Sequence, residues 1–422
     1  MHSVTNVIPT GTIASIPAKA HAHRALICAA LANSPSTILL SRTSKDIDAT
    51  MDSLRGLGAH VVYENKVVTV TPGPVPAKGN VVPHESGTTL RLLLPVAASI
   101  CNDVDVDAKG RLPDRPLEPM LSEMKAHGVT FSQDKPPFTM TGCLQGGNFS
   151  MVGDVSSQFF SGLLLAAPQI GLSTITATTP LQSSDYVTLT TETMRDFGVE
   201  VEHTLPDTNI NESFTVPFGA SFIGRNNYQI EGDWSNAAIW MVAAGMTGKP
   251  ITITGMNKNS VQADRRIMQV MIDAGCDVVW DGMNITVTGR ASKPIHADLE
   301  QMPDMLPVMA ALACSISGKS SFIKGARLRL KESDRLIAVA NLVRDLGGTV
   351  REEGDDLYII GSGILKGGHG DCINDHRLVM AGTLMALISE NSVTLKDSEA
   401  ITKSYPDFFE DWNLLGGDAH GI

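Results

Sequence analysis

A sixfold recurrence restricts how this chain can fold more than any other feature. A helix-like segment that ends on glycine and runs into a β-branched stretch appears as "MDSLRGLGAHVVY", "LSEMKAHGVTF", "TETMRDFGVEVE", "MQVMIDAGCDVVW", "ANLVRDLGGTVRE" and "FEDWNLLGGDA". The glycines are Gly58, Gly128, Gly198, Gly275, Gly347 and Gly416, at intervals of 70, 70, 77, 72 and 69 residues. Glycine suits the position just past a helix end, where the backbone turns to positive φ. Each unit also carries an earlier Ala/Leu-rich helix: "HRALICAALANS", "TTLRLLLPVAAS", "SSQFFSGLLLAAP", "SNAAIWMVAAGMTG", "MLPVMAALACSISG" and "HRLVMAGTLMALIS". Short β runs such as "STILLS" and "PITITG" follow these helices. A unit therefore reads strand, helix, strand, helix, with extra strands between units. The first helix is apolar nearly all round and is expected inside; the second is amphipathic and is expected outside. The period is too long for an ordinary solenoid. The expected fold is α/β: two similar lobes of three units each, with buried helices and outer sheets.

Composition narrows the function. A chain of 422 residues is long enough for two domains, and 43% hydrophobic residues suffice for a core. Aromatics make up only 5%, which speaks against an aromatic-lined binding module. The net charge of −12 speaks against a nucleic-acid partner. An acidic protein still binds small anions where a few cations converge. The cysteines, Cys28, Cys101, Cys143, Cys276, Cys314 and Cys372, show no CxxC spacing and read as free thiols in a reducing compartment. The stretch "MHSVTNVIPTGTIASIPAKA" lacks the basic-then-apolar pattern of a signal peptide. The longest uncharged run, between Asp154 and Asp185, is too rich in Thr, Ser, Gln, Pro and Gly to span a membrane. A cytoplasmic protein with small-molecule partners and no membrane partner is expected.

The unusual polar residues gather at helix starts. Lys19 and Arg24 open the first buried helix, "ESGTTLR" the second, "GDVSSQ" the third with Ser156 and Ser157 as caps, and "NDHR" the sixth. "LPDRP", "KESDR" and "TKSYPDF" are expected to open second helices in units two, five and six. Helix N-termini carry unpaired N–H groups and partial positive charge, so several aimed at one place make an anion site. Arg91, Arg115, Arg335, Arg377, Lys331 and Lys403 would complete it for phosphates and carboxylates. Capping alone accounts for any one of these strings; it does not account for seven of them in register. The densest is "RLRLKESDRL", with six charged residues in ten, in a chain that is 18% charged.

In this order the strings resemble the 5-enolpyruvylshikimate-3-phosphate synthase family of enolpyruvyl transferases. "KESDRL" is similar to that family's K-E-[ST]-D-R signature, "NDHRLVMAGTLMAL" to its N-D-H-R helix, "VSSQF" to its S-S-Q loop and "SGTTLR" to its G-T-x-x-R motif. "LPDRPLEPM" and "KSYPDFFE" match its remaining segments. The resemblance covers nearly the whole chain. It implies two lobes, residues 1–17 with 228–422 and residues 18–227, arranged as an inside-out α/β barrel with the active site in the cleft between them. It implies transfer of the enolpyruvyl group of phosphoenolpyruvate to the 5-hydroxyl of shikimate 3-phosphate, releasing phosphate, in a monomer with no cofactor and no metal. Lys19, Arg24, Ser156, Ser157, Gln158, Ser183, Asp304 and Lys331 would hold shikimate 3-phosphate, with Tyr186 beside its ring. Lys19, Gly87, Arg115, Gln158, Arg335, Arg377 and Lys403 would hold phosphoenolpyruvate. Asp304, Glu332 and Lys19 would move protons. A carboxyl acts as an acid near neutral pH only if its pKa is raised, so one member of the Asp304/Glu332 pair should be desolvated or near another carboxylate.

Four departures bear on affinity. Ala20 replaces a usual Ser, Arg327 a usual Asn, Glu85 a usual Asn and Leu92 a usual Pro. Response to phosphoenolpyruvate mimics such as glyphosate would turn on Gly87, Ala20 and Leu92. His21 and His23 lack a nearby Cys or carboxylate and do not suggest a metal; His376 stays a weak candidate for proton transfer. Two alternatives remain. A UDP-N-acetylglucosamine enolpyruvyl transferase would carry a reactive Cys in the loop "DVDAKGRLPDRP", which has none. A non-catalytic binding protein would lack Asp304, Glu332 or Lys403, and all three are present.

Overall fold

The computed structural model describes residues 1–208 and 210–422. The chain divides into two units, Met1–Ile16 with Glu231–Ile422, and Pro17–Ile230. The Pro17–Ile230 unit contains α1 (Lys19–Ala30), α2 (Lys45–Gly56), α3 (Gly87–Ile100), α4 (Met120–Ala126), α5 (Ser157–Ile170) and α6 (Asp185–Asp196). The other unit contains α7 (Trp234–Thr247), α8 (Ile267–Asp273), α9 (Leu306–Ser315), α10 (Arg335–Asp345), α11 (His376–Ala386) and α12 (Phe408–Leu414).

Helices α1, α3, α5, α7, α9 and α11 are the cores of their units, as their all-round apolar sequences require. Every residue of α9 is buried, and so is every residue of α7 from Trp234 to Met246. Burying Leu306, Val308, Met309 and Leu312 contributes roughly 1.5–3 kcal/mol per side chain. Helices α2, α6 and α10 bury one face and expose the other. Close packing between α3 and α5 needs Gly162. A Cβ there would lie 2.5 Å from the Arg91 carbonyl oxygen and 3.3 Å from the Leu92 Cα.

Among the described residues each unit has three separate four-stranded sheets, and none closes into a barrel. All six share one pattern: a parallel edge pair followed by two antiparallel pairs. In one, Gly79–Val81 runs parallel to Asp103–Val106 with α3 as the crossover; Phe138–Thr141 and Thr130–Phe131 follow antiparallel. The register sets Val104 opposite Met140, both buried. Two edge strands are exchanged. Gly11–Ala14 leads into α1 but pairs with Ile251–Thr254; Tyr228–Gln229 leads into α7 but pairs with Ser36–Leu39. This reciprocal exchange makes one unit discontinuous in sequence.

The six repeat glycines all sit past helix ends with φ between +87° and +104°. Helix starts differ from expectation in two places. "KESDR" does open a helix, with the Asp334 carboxylate accepting from the Ile337 N–H at 3.2 Å. "LPDRP" instead forms a 3-10 turn at Leu112–Asp114, and Arg115 is extended, with φ −77° and ψ 141°. α4 starts only at Met120. Pro116 accounts for this, because proline drives the residue before it out of the helical region. "TKSYPDF" behaves alike: Lys403 ends a 3-10 turn (Ser398–Lys403), and α12 starts at Phe408, beyond Pro406. At "SSQ", Ser156 alone is the cap, accepting from the Gln158 N–H at 3.3 Å, while Ser157 is the first helical residue.

Candidate active site

The charged string opened by Arg327 resolves into a working part and a scaffold. Arg329 is scaffold: it bonds Asp355 at 2.8 Å, the Gly354 carbonyl at 2.6 Å and Asp334 at 3.1 Å. Arg335, the first residue of α10, is buried and gathers three carboxylates. Its Nη1 donates to Asp304 Oδ1 at 2.7 Å and its Nη2 to Glu332 Oε2 at 2.6 Å. Its Nε and Nη2 donate to the two oxygens of Asp375 at 2.9 and 3.1 Å. Asp375 caps α11, accepting from the Arg377 N–H at 2.9 Å and from the Ser333 hydroxyl at 3.0 Å. Lys331 Nζ lies 3.1 Å from Asp304 Oδ1. Arg377 donates to the Ser235 carbonyl at 3.1 Å, and Lys403 to the Asn374 carbonyl at 2.7 Å. Asp304, Lys331, Glu332 and Arg335 are thus joined directly, by one local pair and by contacts between elements, and Asp375 links Arg335 to the start of α11 that carries Arg377.

The electrostatics of this cluster are lopsided. Burial opposes the charge on Asp304, but Lys331, Arg335 and Arg377 overwhelm it and hold the carboxyl well below the usual carboxylate range. Burial likewise opposes the charge on Arg335, yet Asp375, Glu332 and Asp304 hold its guanidinium above its ordinary value. Burial, with Arg327 and Arg335, pushes the Lys331 ammonium down. Arg327, at a position of usual Asn, therefore acts on the cluster as an extra cation beside Lys331. The raised carboxyl expected of the Asp304/Glu332 pair is not Asp304. A different carboxyl, Asp264, which the sequence did not single out, is raised: burial and the neighbouring Asp304 push it up to about 6. Only the mixed-charge string "QADRR" ahead of α8 could have drawn attention to it.

The Pro17–Ile230 unit presents a second set. Lys19, the first residue of α1, bonds Asp46 at 2.6 Å, a partner with no sequence signal. Arg24 is buried and already engaged. It donates to the Thr190 hydroxyl at 2.7 Å, the Ala20 carbonyl at 2.7 Å, the Tyr186 carbonyl at 2.9 Å and the Ser161 hydroxyl at 3.2 Å. Burial among these neutral groups lowers it to about 10. Gln158 ties the starts of α3 and α5 together. It accepts from Arg91 Nη1 at 3.0 Å and donates to the Thr88 hydroxyl at 2.9 Å, while Arg91 Nη2 donates to the Pro116 carbonyl at 3.0 Å. That last bond anchors the segment carrying Arg115, whose guanidinium lies against Gly87. Ser183 is buried at φ +54° just before α6. Glu85, another departure, packs against Gly110 in the same loop, with its Cδ 2.9 Å from where a Cβ would stand. Leu92 is core. His21 bonds the Tyr228 hydroxyl and His23 the Thr50 hydroxyl, at 2.8 and 2.7 Å, so the two rings serve different structural contacts.

Twin three-sheet units, each with buried cations near the starts of its helices, define a class: α/β proteins of two similar units. Within that class the match is specific. The family model described as EPSP synthase (3-phosphoshikimate 1-carboxyvinyltransferase) fits residues 8–412, and the chain belongs to this family. It is 35% identical to the 3-phosphoshikimate 1-carboxyvinyltransferase of Methanocorpusculum labreanum, over 97% of each chain. The Clostridium kluyveri protein of the same name is 36% identical over 97% of this chain and 95% of its own. The Pyrococcus abyssi one is 34% identical over 95% and 94%. The solved EPSP synthase of Acinetobacter baumannii shares the fold, with a TM-score of 0.82 at 22% identity over 99% of each chain.

Proposed function

We propose that the chain transfers the enolpyruvyl group of phosphoenolpyruvate to the 5-hydroxyl of shikimate 3-phosphate, a step of the shikimate pathway. The observation that carries the chemistry is the Lys331–Asp304–Arg335 arrangement. A carboxylate is kept ionised there by cations of the kind that anionic substrates need. In the addition step the 5-hydroxyl oxygen bonds to C2 of phosphoenolpyruvate and its proton passes to a base. C3 takes a proton from an acid. Elimination then breaks the C2–O bond to phosphate, and C3 gives up a proton. Asp304, held in its charged form, suits the base at the hydroxyl. The proton at C3 must come from another group, for which Glu332 and Lys19 are the candidates.

Shikimate 3-phosphate falls to Lys19, Arg24, Ser156, Ser157, Gln158, Ser183, Asp304 and Lys331. Phosphoenolpyruvate falls to Lys19, Gly87, Arg115, Gln158, Arg335, Arg377 and Lys403. Arg24, with four bonds to its own unit, contributes by fixing α5 and α6 as well as by charge. The reading carries with it a monomer that works in the cytoplasm on small molecules. Among the described residues no helix is long and apolar enough to cross a membrane. The test is to mix the purified protein with both substrates and follow phosphate release. Release only when both are present is expected; none would sink the reading.

A further inference from the structure

We propose that Asp264 sets the affinity of the Arg335–Arg377 cluster for its anionic substrate. It stands as a carboxylate in the empty cluster and as a neutral acid, with a proton taken from solvent, when phosphoenolpyruvate is bound. The inference rests on phosphoenolpyruvate meeting Arg335 and Arg377.

Asp264 is 1% exposed and lies in the 3-10 turn Ala263–Arg266 ahead of α8. Its Oδ2 accepts a short hydrogen bond from the Ser235 hydroxyl in the first turn of α7. The backbone carbonyl of the same Ser235 accepts from Arg377. Ser235 thus touches Asp264 on one side and a substrate-directed guanidinium on the other. The charged groups facing Asp264 pull in opposite directions. Asp304, from the turn before α9, and Asp233, from the turn before α7, oppose its charge; Arg377, from α11, supports it. α7 brings no titratable side chain, and Asp273 of α8 is exposed. Within its own turn, Arg265 and Arg266 donate to the carbonyls of Lys258 and Ala263.

A carboxylate in so buried a place keeps its charge with the support of Arg377 and of the Ser235 hydroxyl. An anion arriving at Arg377 competes for that support and adds negative charge nearby. Both effects make the ionised form costlier, so binding favours proton uptake. The empty-state midpoint of about 6 puts this exchange within reach of neutral pH.

The experiment compares wild type with Asp264→Asn, measuring KM for phosphoenolpyruvate and kcat from pH 5 to 8 at saturating shikimate 3-phosphate. Asn mimics the neutral acid. The ratio of wild-type to variant KM should be near one at pH 5. It should climb to about a hundredfold at pH 8, two pH units above the midpoint of about 6, because a bound state that stays neutral loses tenfold in relative affinity per unit. Because the bound state is neutral at this position in both proteins, kcat should stay within about twofold. The phosphate of the substrate itself titrates near 6, but it is common to both proteins and cancels in the ratio. Calorimetry in two buffers of different ionisation enthalpy should show protons taken up on phosphoenolpyruvate binding by wild type and correspondingly fewer by the variant. A KM ratio independent of pH, or a variant KM above that of wild type at pH 8, overturns the inference. If Asp264→Asn fails to fold, Ser235→Ala serves instead. Losing that hydrogen bond should move the midpoint of wild-type-like KM dependence upward, and an unmoved midpoint also overturns it. Arg377→Lys separates the two levels: an unchanged KM there removes phosphoenolpyruvate from Arg377, whatever Asp264 does.

Discussion

Replacing Gly87 with alanine should raise or preserve stability while crippling turnover. Gly87 is the first residue of α3 and has no positive φ, so alanine fits its backbone. Alanine in a helix is favoured over glycine by roughly 0.5–1 kcal/mol. Its methyl, however, would stand 2.5 Å from Arg115 Nη1 and 2.9 Å from Arg115 Cζ, where ordinary contact begins at 3.4 Å. The guanidinium must give way by about 1 Å, and misplacement of that size in a substrate clamp costs on the order of 100-fold in rate. That is ~2.7 kcal/mol of transition-state stabilisation. Steady-state phosphate release with phosphoenolpyruvate varied should show kcat/KM down by about that factor, while shikimate 3-phosphate binds as in wild type. Calorimetry should show a Tm no lower than wild type. The Arg115→Ala background isolates the cause: there Gly87→Ala should add nearly nothing, because the clashing group is gone. Wild-type kinetics in Gly87→Ala, or a full additional loss in the Arg115→Ala background, would refute the reasoning.

Asp304→Ala and Glu332→Ala should each abolish most turnover yet leave shikimate 3-phosphate binding largely intact by calorimetry; near-normal rates in both would remove the acid/base assignment. Lys19→Met should weaken binding and turnover together, since it breaks the Asp46 pair and removes a cation at the start of α1; an effect on neither would show Lys19 is not at the substrates. Arg335→Met should destabilise the fold by about 3–5 kcal/mol, as expected when one partner of a buried ion pair is removed; a denaturant midpoint like wild type would contradict the three-carboxylate arrangement. Stability should fall on acidification through His21. Burial lowers its pKa from 6.5 to about 4, with Asp196 opposing and Arg24 adding. Between those values the unfolded chain binds the proton and the folded one does not, so stability is full above 6.5 and declines toward 4, by on the order of 3 kcal/mol. His21→Gln should flatten the dependence of Tm on pH over that window; an unchanged slope would rule His21 out as its source.

How much of the site was legible varies from residue to residue. Lys331, Glu332 and Arg335 stand out because charge of both signs is dense there in a sparsely charged chain. Ser156 announces itself as a cap, and Ser86 and Asp375 cap the helices that their strings were expected to open, by local interactions between residues two or three apart. Asp264, Ser235 and Asp46 gave no such sign. Their roles come from partners 29 and 27 residues away, and an aspartate near a helix start is ordinary. The sequence also could not reveal that Asp304 would be driven down and Asp264 up. Both are buried acids, and the sign of the shift depends on which cations lie within a few ångströms. "LPDRP" and "TKSYPDF" were wrong as helix starts: Pro116 and Pro406 keep the residues before them out of the helical region, and the helices begin only at Met120 and Phe408.

The sequence by itself determined the repeated unit, because apolar periodicity, caps and the glycine past each helix are short-range properties. It determined the inner and outer helices for the same reason. Only the tertiary structure decided which strands pair. Gly11–Ala14 and Tyr228–Gln229 change places with respect to the helices they lead into, and edge pairing runs through backbone groups that every residue carries alike. The tertiary structure also decided the chemistry of the charged string. Arg335 became a hub for Asp304, Glu332 and Asp375 because α10, α11 and the turn before α9 bring them within hydrogen-bond reach. Coulomb energies at that range, in a buried place, outweigh anything the side chains carry on their own.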